Sequence, residues 1–152
     1  MNGRNARSIL FAMPLLLGAL LMAACQPVTP SSPTPVPRLT YHVGSCTKGA
    51  ALAQPQAWEH VDIRVEGHTV HIHHRLPYVC CAKIALRLDR EDHVLKVVER
   101  NVGEVCKCMC GYEVEAEITD LPSGTYTVQV WGVEHPHTGP SRLRGEARVV
   151  IP

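Results

Sequence analysis

Aromatic residues are scarce in this chain, and neither sign of charge is in clear excess. Its 152 residues include one Phe, two Trp and four Tyr, and 15 Lys and Arg stand against 14 Asp and Glu. A basic stripe interleaved with aromatic rings, the usual footprint of nucleic-acid binding, is therefore missing. We accordingly expect no nucleic-acid partner.

Motifs of the common catalytic sites are missing as well. The sequence has no Gly-x-Ser-x-Gly nucleophile elbow, no His-Glu-x-x-His motif and no glycine-rich phosphate loop. It also lacks the Cys-x-x-Cys pair with which redox proteins lower the pKa of one thiol. We therefore expect that the protein is not an enzyme.

The longest apolar run lies at the N-terminus. Arg4 and Arg7 precede a mostly apolar stretch that starts at Ile9, and the small residues Ala23 and Ala24 stand just before a cysteine. A basic start, a short apolar stretch and small residues at its end are typical of a secretory signal peptide. The stretch is too short for a comfortable membrane span.

The end of this run, Leu21-Met22-Ala23-Ala24-Cys25, resembles the lipobox of bacterial lipoproteins. The resemblance implies that residues 1–24 are a signal peptide and that Cys25 becomes the new N-terminus. Its sulfur would then carry a diacylglycerol that holds the protein in a bacterial cell membrane, facing outside the cytoplasm. The resemblance covers only the first 25 residues and implies no activity. A secretory signal before an ordinary cysteine, or an uncleaved anchor helix, is the alternative.

A proline-rich spacer follows the cysteine. Gln26 to Pro37 contains five prolines and four Ser or Thr residues in twelve positions, a composition that favours an extended chain and buries little apolar surface. We assign residues 25–38 to the lipidated cysteine and a Pro/Ser/Thr-rich linker, and residues 39–152 to one folded domain. Without the two arginines of the leader, 13 basic side chains face 14 acidic ones, so the mature protein is close to neutral.

Two-residue periodicity dominates the domain, and no segment of it shows a sustained helical pattern. Short alternating runs separated by Gly and Pro turns predict an all-β fold, an antiparallel β-sandwich of about seven strands. The predicted strands are Val61–Val65, Val70–Leu76, Ile84–Leu88, His93–Glu99, Cys106–Ile118, Tyr126–Val130 and Glu146–Ile151. The first two predict a hairpin around Gly67.

One short segment of the domain resembles a known family. Leu121 to Val128, LPSGTYTV, is similar to the turn and strand of immunoglobulin-like and fibronectin-III-like domains, in which a Leu-Pro-x-Gly corner precedes a core tyrosine. The resemblance implies an Ig-like sandwich. It covers about a dozen residues and supplies no function.

Six cysteines remain if Cys25 is assigned to lipid, an even number that suits disulfides outside the cytoplasm. They are Cys46, Cys80, Cys81, Cys106, Cys108 and Cys110. Alternation places the last three on the inward face of one strand, and it places Cys80 inward and Cys81 outward.

A regular strand would give Cys80 a partner and leave Cys81 without one. We therefore predict a bulge or bend near Val79 to Ala82. Because a disulfide between adjacent residues has poor geometry, we expect both vicinal cysteines to pair with the 106–110 segment. One cysteine of that segment then remains for Cys46.

A metal site is the alternative use of these cysteines. Three soft ligands from one strand, with Cys80 or Cys81 opposite, could surround Cu(I) or Zn(II). The paired Cys-x-x-Cys motifs of common zinc sites are absent. The disulfide hypothesis predicts no cofactor, and the alternative predicts Zn or Cu.

Nine histidines form a second group of candidate ligands. His71 and His73 share one strand face, and with His68, or with His135 and His137, they are a weaker candidate for Zn(II) or Cu(II). A solvated strand face is the alternative interpretation. His74 falls in the inward phase, which predicts a hydrogen-bonded core residue.

The acidic side chains of the longest predicted strand form a row on its outward face. Glu113, Glu115 and Glu117 alternate with apolar residues, which predicts a solvated strand face. A neighbouring basic strand would ease their mutual repulsion, and Lys83 and Arg87 are the candidates for it.

Two hypotheses result. The first is a membrane-anchored binding or structural module that contacts a protein or ligand outside the cytoplasm. The second is a lipoprotein that binds a soft metal ion through its cysteines.

Overall fold

The computed structural model describes residues 35–47, 55–134 and 141–152. Within these ranges the chain forms eight strands and one short helix, α1 (Pro55–Trp58). The predicted signal peptide, Cys25 and most of the predicted linker lie outside the described residues. The strands are β1 (Arg38–Val43), β2 (His60–Glu66), β3 (Thr69–Val79), β4 (Ile84–Glu91), β5 (Val94–Asn101), β6 (Met109–Thr119), β7 (Gly124–Glu134) and β8 (Arg142–Ile151).

The strands form two four-stranded sheets that pack face to face. Sheet order is β1-β6-β3-β2 in the first and β4-β5-β7-β8 in the second. The predicted β-sandwich is therefore confirmed, and the predicted hairpin is β2–β3, with Gly67 in the turn at a φ of 59°. No helix among the described residues is long and apolar enough to cross a bilayer.

One strand pairing differs from the predicted antiparallel arrangement. β5 and β7 pair in parallel, whereas the pairs on either side of them are antiparallel. The chain leaves β5 for the opposite sheet, forms β6 there and returns as β7. Because it crosses the sandwich twice, it enters the second sheet again in the direction of β5.

Inward-facing side chains of both sheets form the larger of two core clusters. Alternating positions of β3 and β6 meet alternating positions of β5, β7 and β8, as a two-residue period requires. The buried members are Val70, Ile72, Leu95, Val97, Ala116, Ile118, Leu121, Tyr126, Val128, Val130, Val149 and Ile151.

A smaller core cluster lies at the other end of β3 and β6. Its buried members are Leu76, Cys110, Tyr112, Val114 and Val133. Cys46 and Cys80 pack against it, half-buried. The sandwich therefore has a cysteine-rich end, made of the residues after β1, the turn after β3 and the segment before β6.

Candidate functional site

The six cysteines of the domain meet at the cysteine-rich end. Two disulfides form there, Cys46–Cys110 with a Cα–Cα distance of 5.3 Å and Cys81–Cys106 with 6.0 Å. The first ties the segment after β1 to β6. The second ties the turn after β3 to the segment before β6. Both connections agree with the predicted pattern, in which Cys46 and a vicinal cysteine each pair with the 106–110 segment.

The β3–β6 ladder explains how neighbouring cysteines reach different partners. Tyr78 pairs with Cys110 and Val79 with Met109. The register continues one step further, because the Cys80 N–H donates to the Cys108 carbonyl at 3.1 Å. A turn then follows, in which the Ala82 N–H donates to the Val79 carbonyl at 3.2 Å. The predicted bend near Val79 to Ala82 is thus confirmed.

The sulfur atoms lie in two groups of three. The Sγ atoms of Cys46, Cys80 and Cys110 all lie within 4.8 Å of one another. In the second group, the Cys106 Sγ is bonded to the Cys81 Sγ and lies 3.3 Å from the Cys108 Sγ. The first group is the one set of three candidate metal ligands that the described part of the chain brings this close together.

The predicted inward phase of the cysteine strand is wrong at its start. Cys110 is fully buried, but Cys106 is half-buried and Cys108 is exposed. β6 begins only at Met109, so the residues before it have no ladder to fix alternate side chains on one face. Two-residue spacing alone therefore does not place Cys106 and Cys108 in the core.

The segment between β5 and β6 is held by side-chain hydrogen bonds as well as by sulfur. The Asn101 Oδ1 accepts the N–H of Lys83 at 3.0 Å and the N–H of Gly103 at 2.9 Å, and its Nδ2 donates to the Glu104 carbonyl at 3.0 Å. A Cβ added at Gly103 would lie 2.7 Å from the Lys83 nitrogen, so glycine is required by close approach.

Residues 102–108, hereafter the stapled loop, expose apolar side chains. Val102 is 60% and Val105 is 46% exposed. A loop that is fixed by an asparagine, a tight glycine and a disulfide loses little conformational entropy when it binds. The sequence reasoning missed Asn101, although an Asn two residues before a Gly is a common turn signal.

Tyr112 is a buried residue of the smaller core cluster, next to the cysteines. Its hydroxyl donates to the carbonyls of Val79 at 2.9 Å and Cys80 at 3.0 Å. Burial raises the pKa of this phenol above its ordinary value.

The histidine candidates lie on the outer face of the first sheet. The Nδ1 of His71 is 3.4 Å from Glu117, and the Nε2 of His73 is 2.6 Å from Glu113. His68 is exposed in the β2–β3 turn, and the predicted partners His135 and His137 lie outside the described residues. The structure therefore brings together His71 and His73 with the row of glutamates, and the pattern of acids opposite histidines was not predicted.

The predicted basic neighbours of the glutamate row are wrong. Lys83 precedes β4 and Arg87 lies on it, and β4 belongs to the second sheet. β6 instead lies between β1 and β3. Histidines and arginine on β3 face the glutamates, because β3 and not β4 is the hydrogen-bonded neighbour of β6.

His74 lies in the core, as predicted. It is fully buried, its Nδ1 is 2.6 Å from Glu99, and its Nε2 is 3.6 Å from Glu59. Arg144 reaches Glu59 at 3.1 Å from the opposite sheet. The two glutamates were missed, although Glu99 shares the inward phase of Leu95 and other core residues of β5. A chain of contacts between Glu99, His74, Glu59 and Arg144 thus joins the two sheets.

Comparison of the chain with protein-family models, with curated proteins and with solved structures finds no match. The cysteine-rich end, the histidines on the outer face of the first sheet and the sequence motifs are therefore the features from which a function can be proposed.

Proposed function

We propose that this protein is a bacterial lipoprotein, anchored outside the cytoplasm, whose disulfide-stapled β-sandwich acts as a binding or structural module. The main observation that supports this proposal is the pair of disulfides at one end of the sandwich. Stable disulfides are typical of proteins outside the cytoplasm, which agrees with the lipobox-like sequence before Cys25. We propose no catalytic step.

Labelling with palmitate tests the anchor. Cells that express the full chain should incorporate labelled palmitate into the protein and retain it in the membrane fraction. Cys25→Ser should lose the label, whereas Cys108→Ser, which removes an exposed cysteine of the domain, should keep it. An unlabelled wild-type protein would overturn the proposed anchor.

A third disulfide, Cys80–Cys108, completes the proposed staple. The hydrogen bond between their backbones continues the β3–β6 register and sets the two residues opposite each other. Opposite residues of antiparallel strands have Cα atoms about 4.5 to 5.5 Å apart, which lies in the range that disulfides span. Each bridge is expected to contribute about 2 to 4 kcal/mol.

The intact mass of a simplified variant tests this bridge. Cys81→Ala with Cys106→Ala leaves only the Cys46–Cys110 bridge and the proposed one within the domain. The oxidised variant should be lighter than its reduced form by four hydrogens. Adding Cys108→Ala should reduce the difference to two hydrogens. A difference of two hydrogens before that third substitution would refute the Cys80–Cys108 bridge.

The stapled loop is the proposed contact surface for a partner outside the cytoplasm. Exposed valines on a rigid loop offer apolar contact area at low entropic cost. A photo-crosslinking residue at Val102 or Val105 should give adducts on intact cells, and one at Val150, which is 66% exposed on β8, should not. Equal labelling at all three positions would argue against a specific role of the loop.

We also propose that the sandwich is Ig-like. The Tyr126 hydroxyl donates to the Pro122 carbonyl at 3.0 Å, four residues upstream. Tyrosine corners in Ig-like domains make a hydrogen bond of this kind. Two features depart from the usual Ig arrangement: the parallel β5–β7 pair, and strand orders that differ from the ABED and CFG sheets of Ig domains.

Soft-metal binding is the second candidate function, and it rests on the close sulfur group of Cys46, Cys80 and Cys110. Cellular dithiols would first reduce the Cys46–Cys110 bond and the bridge proposed for Cys80, each with transfer of two electrons and two protons to the sulfurs and oxidation of one dithiol to a disulfide. Three thiolates would then bind Cu(I) or Zn(II) and release their protons.

A cysteine cannot be in a disulfide and hold a metal ion as a thiolate at the same time. The thiol and metal content of one protein preparation therefore distinguishes the two candidate functions. Under the first proposal the cysteines of protein purified without chelator should hold no Cu or Zn, and the mass of the domain should be lower than that of its reduced form by six hydrogens. Six thiols within the domain and one metal ion that is released when the thiols are alkylated would favour the second candidate and overturn the first.

A further inference from the structure

Four side chains with metal-binding atoms surround one concavity on the outer face of the first sheet. The concavity has a volume of about 270 Å³. It is lined by His71 and His73 of β3, Asp62 and Arg64 of β2, and Glu115 of β6, with Ile72 at its base. It lies away from the cysteines and has no role in the function proposed above.

Strand register places the four groups at neighbouring positions of this face. His73 lies directly opposite Asp62 on one side and Glu115 on the other. Directly opposite residues have Cβ atoms about 4.5 to 5.5 Å apart. His71 is two residues along the same face, at about 6.6 Å. One imidazole thus lies between two carboxylates, with a second imidazole beside it.

The surrounding charge favours a cation. The outward positions of β2, β3 and β6 between residues 60 and 117 carry five carboxylates and two guanidinium groups. One of these guanidiniums, on Arg64, lines the concavity but pairs with Glu66 at 3.3 Å. The remaining carboxylate charge is available to a positive ligand.

The imidazoles are already oriented by neighbouring acids. Glu117 lies 3.4 Å from the Nδ1 of His71 and Glu113 lies 2.6 Å from the Nε2 of His73. Carboxylates beside metal-ligating histidines commonly fix the ring orientation in this way. A mixed set of imidazole and carboxylate donors suits borderline divalent ions such as Zn(II), and is less suited to the all-oxygen preference of Mg(II) or Ca(II).

We infer that this face binds one borderline divalent cation, with His71, His73, Asp62 and Glu115 as its ligands. No three of their donor atoms lie within 4.8 Å of one another in the described structure, so binding requires the exposed side chains of Asp62 and Glu115 to rotate toward the imidazoles. The sequence alone suggested His68, or His135 and His137, as partners of the two β3 histidines. The register replaces them with acids on the two neighbouring strands. Because the site is open to solvent, the bound ion keeps room for water or for a carboxylate or imidazole of a partner molecule.

Calorimetric titration with Zn(II) tests the site in the full-length protein. The protein is oxidised and its remaining thiols are alkylated with iodoacetamide, so that the cysteines cannot hold the metal. One Zn(II) per chain is expected. His73→Ala should weaken binding by about 10- to 100-fold or more, the range seen when metal sites lose supporting groups, and Glu115→Gln should weaken it as well.

Matched controls separate this site from a general effect of surface charge. His68→Ala removes an exposed histidine of the same hairpin, and Glu146→Gln removes a carboxylate that pairs with Gln129 on the second sheet. Both should leave the affinity within about twofold. Unchanged affinity in His71→Ala/His73→Ala, or loss of all binding once the thiols are alkylated, would overturn the inference. Neither result bears on the disulfide staple.

Discussion

Removing the Cys46–Cys110 bridge should cause the largest loss of stability among single-bridge variants. The two residues are 64 apart in sequence, and the chain-entropy relation for such a loop gives about 4 kcal/mol at 25 °C. A closed Cys80–Cys108 bridge would shorten the loop to roughly 36 residues, which lowers this figure by only about half a kcal/mol. The variant Cys46→Ala/Cys110→Ala also loses the packing of a fully buried sulfur.

Urea unfolding of the oxidised variant measures this loss. Fluorescence of Trp58 and Trp131 reports the transition, and linear extrapolation gives the free energy of unfolding in water. A loss of about 4 kcal/mol corresponds to a fall of roughly 15 °C in Tm for a domain of this size.

The bridge Cys81–Cys106 provides the matched comparison. Its residues are 25 apart, and that loop alone gives about 3.5 kcal/mol. With Cys80–Cys108 closed, only about five residues remain in the ring that Cys81–Cys106 closes, and the expected loss falls to about 2 kcal/mol. A larger loss from Cys81→Ala/Cys106→Ala than from Cys46→Ala/Cys110→Ala would refute the loop-entropy reasoning.

Three further substitutions test the packing around the site. The raised pKa of Tyr112 means that its stabilising effect is complete below pH 10, the ordinary value, and is lost as pH rises through the folded-state pKa; Tyr112→Phe should flatten the fall of the urea midpoint above pH 10. His74→Leu should cost about 3 to 5 kcal/mol in a urea titration, because it leaves the buried Glu99 carboxylate without its partner, and His74→Leu/Glu99→Leu should recover most of that loss. Gly111→Ala should cost about 1 to 3 kcal/mol and alter the emission of Trp58, since the new Cβ would lie 2.6 Å from that ring; unchanged emission would contradict the contact.

Alternation in the sequence predicts seven of the eight strands because it reports a local property, the face to which each side chain points. The sequence did not predict β1, because alternation is weak in this strand. Leu39 and Val43 are only half-buried and Tyr41 is 46% exposed, so the period of this edge strand is weak and its place depends on hydrogen bonds to β6. The parallel β5–β7 pair was also beyond local reasoning, because it results from two crossings between sheets.

Alternation reports only a local property, and this also explains which contacts at the candidate sites could be predicted from the sequence. Six cysteines predict a staple, but Cys106 and Cys108 precede the first residue of β6, where the two-residue period no longer applies. His74 was placed in the core by its phase, and Glu99 has an equally clear inward phase. Their pairing needed the knowledge that β3 and β5 face each other across the sandwich. The acids around His71 and His73 likewise follow from the order of β2, β3 and β6.

The position of the disulfides agrees with the distribution of apolar burial. The larger core cluster contains twelve buried residues, whereas the cluster at the cysteine-rich end contains five, one of them a bridged cysteine. Burial therefore supplies less cohesion at this end, and covalent bonds supply more. Reduction should loosen the stapled loop before it affects the larger cluster, since Cys46–Cys110 packs in the smaller cluster and no bridged cysteine belongs to the larger one. The rigid contact surface proposed for this protein consequently depends on an oxidising compartment, which is the compartment that the sequence before Cys25 predicts.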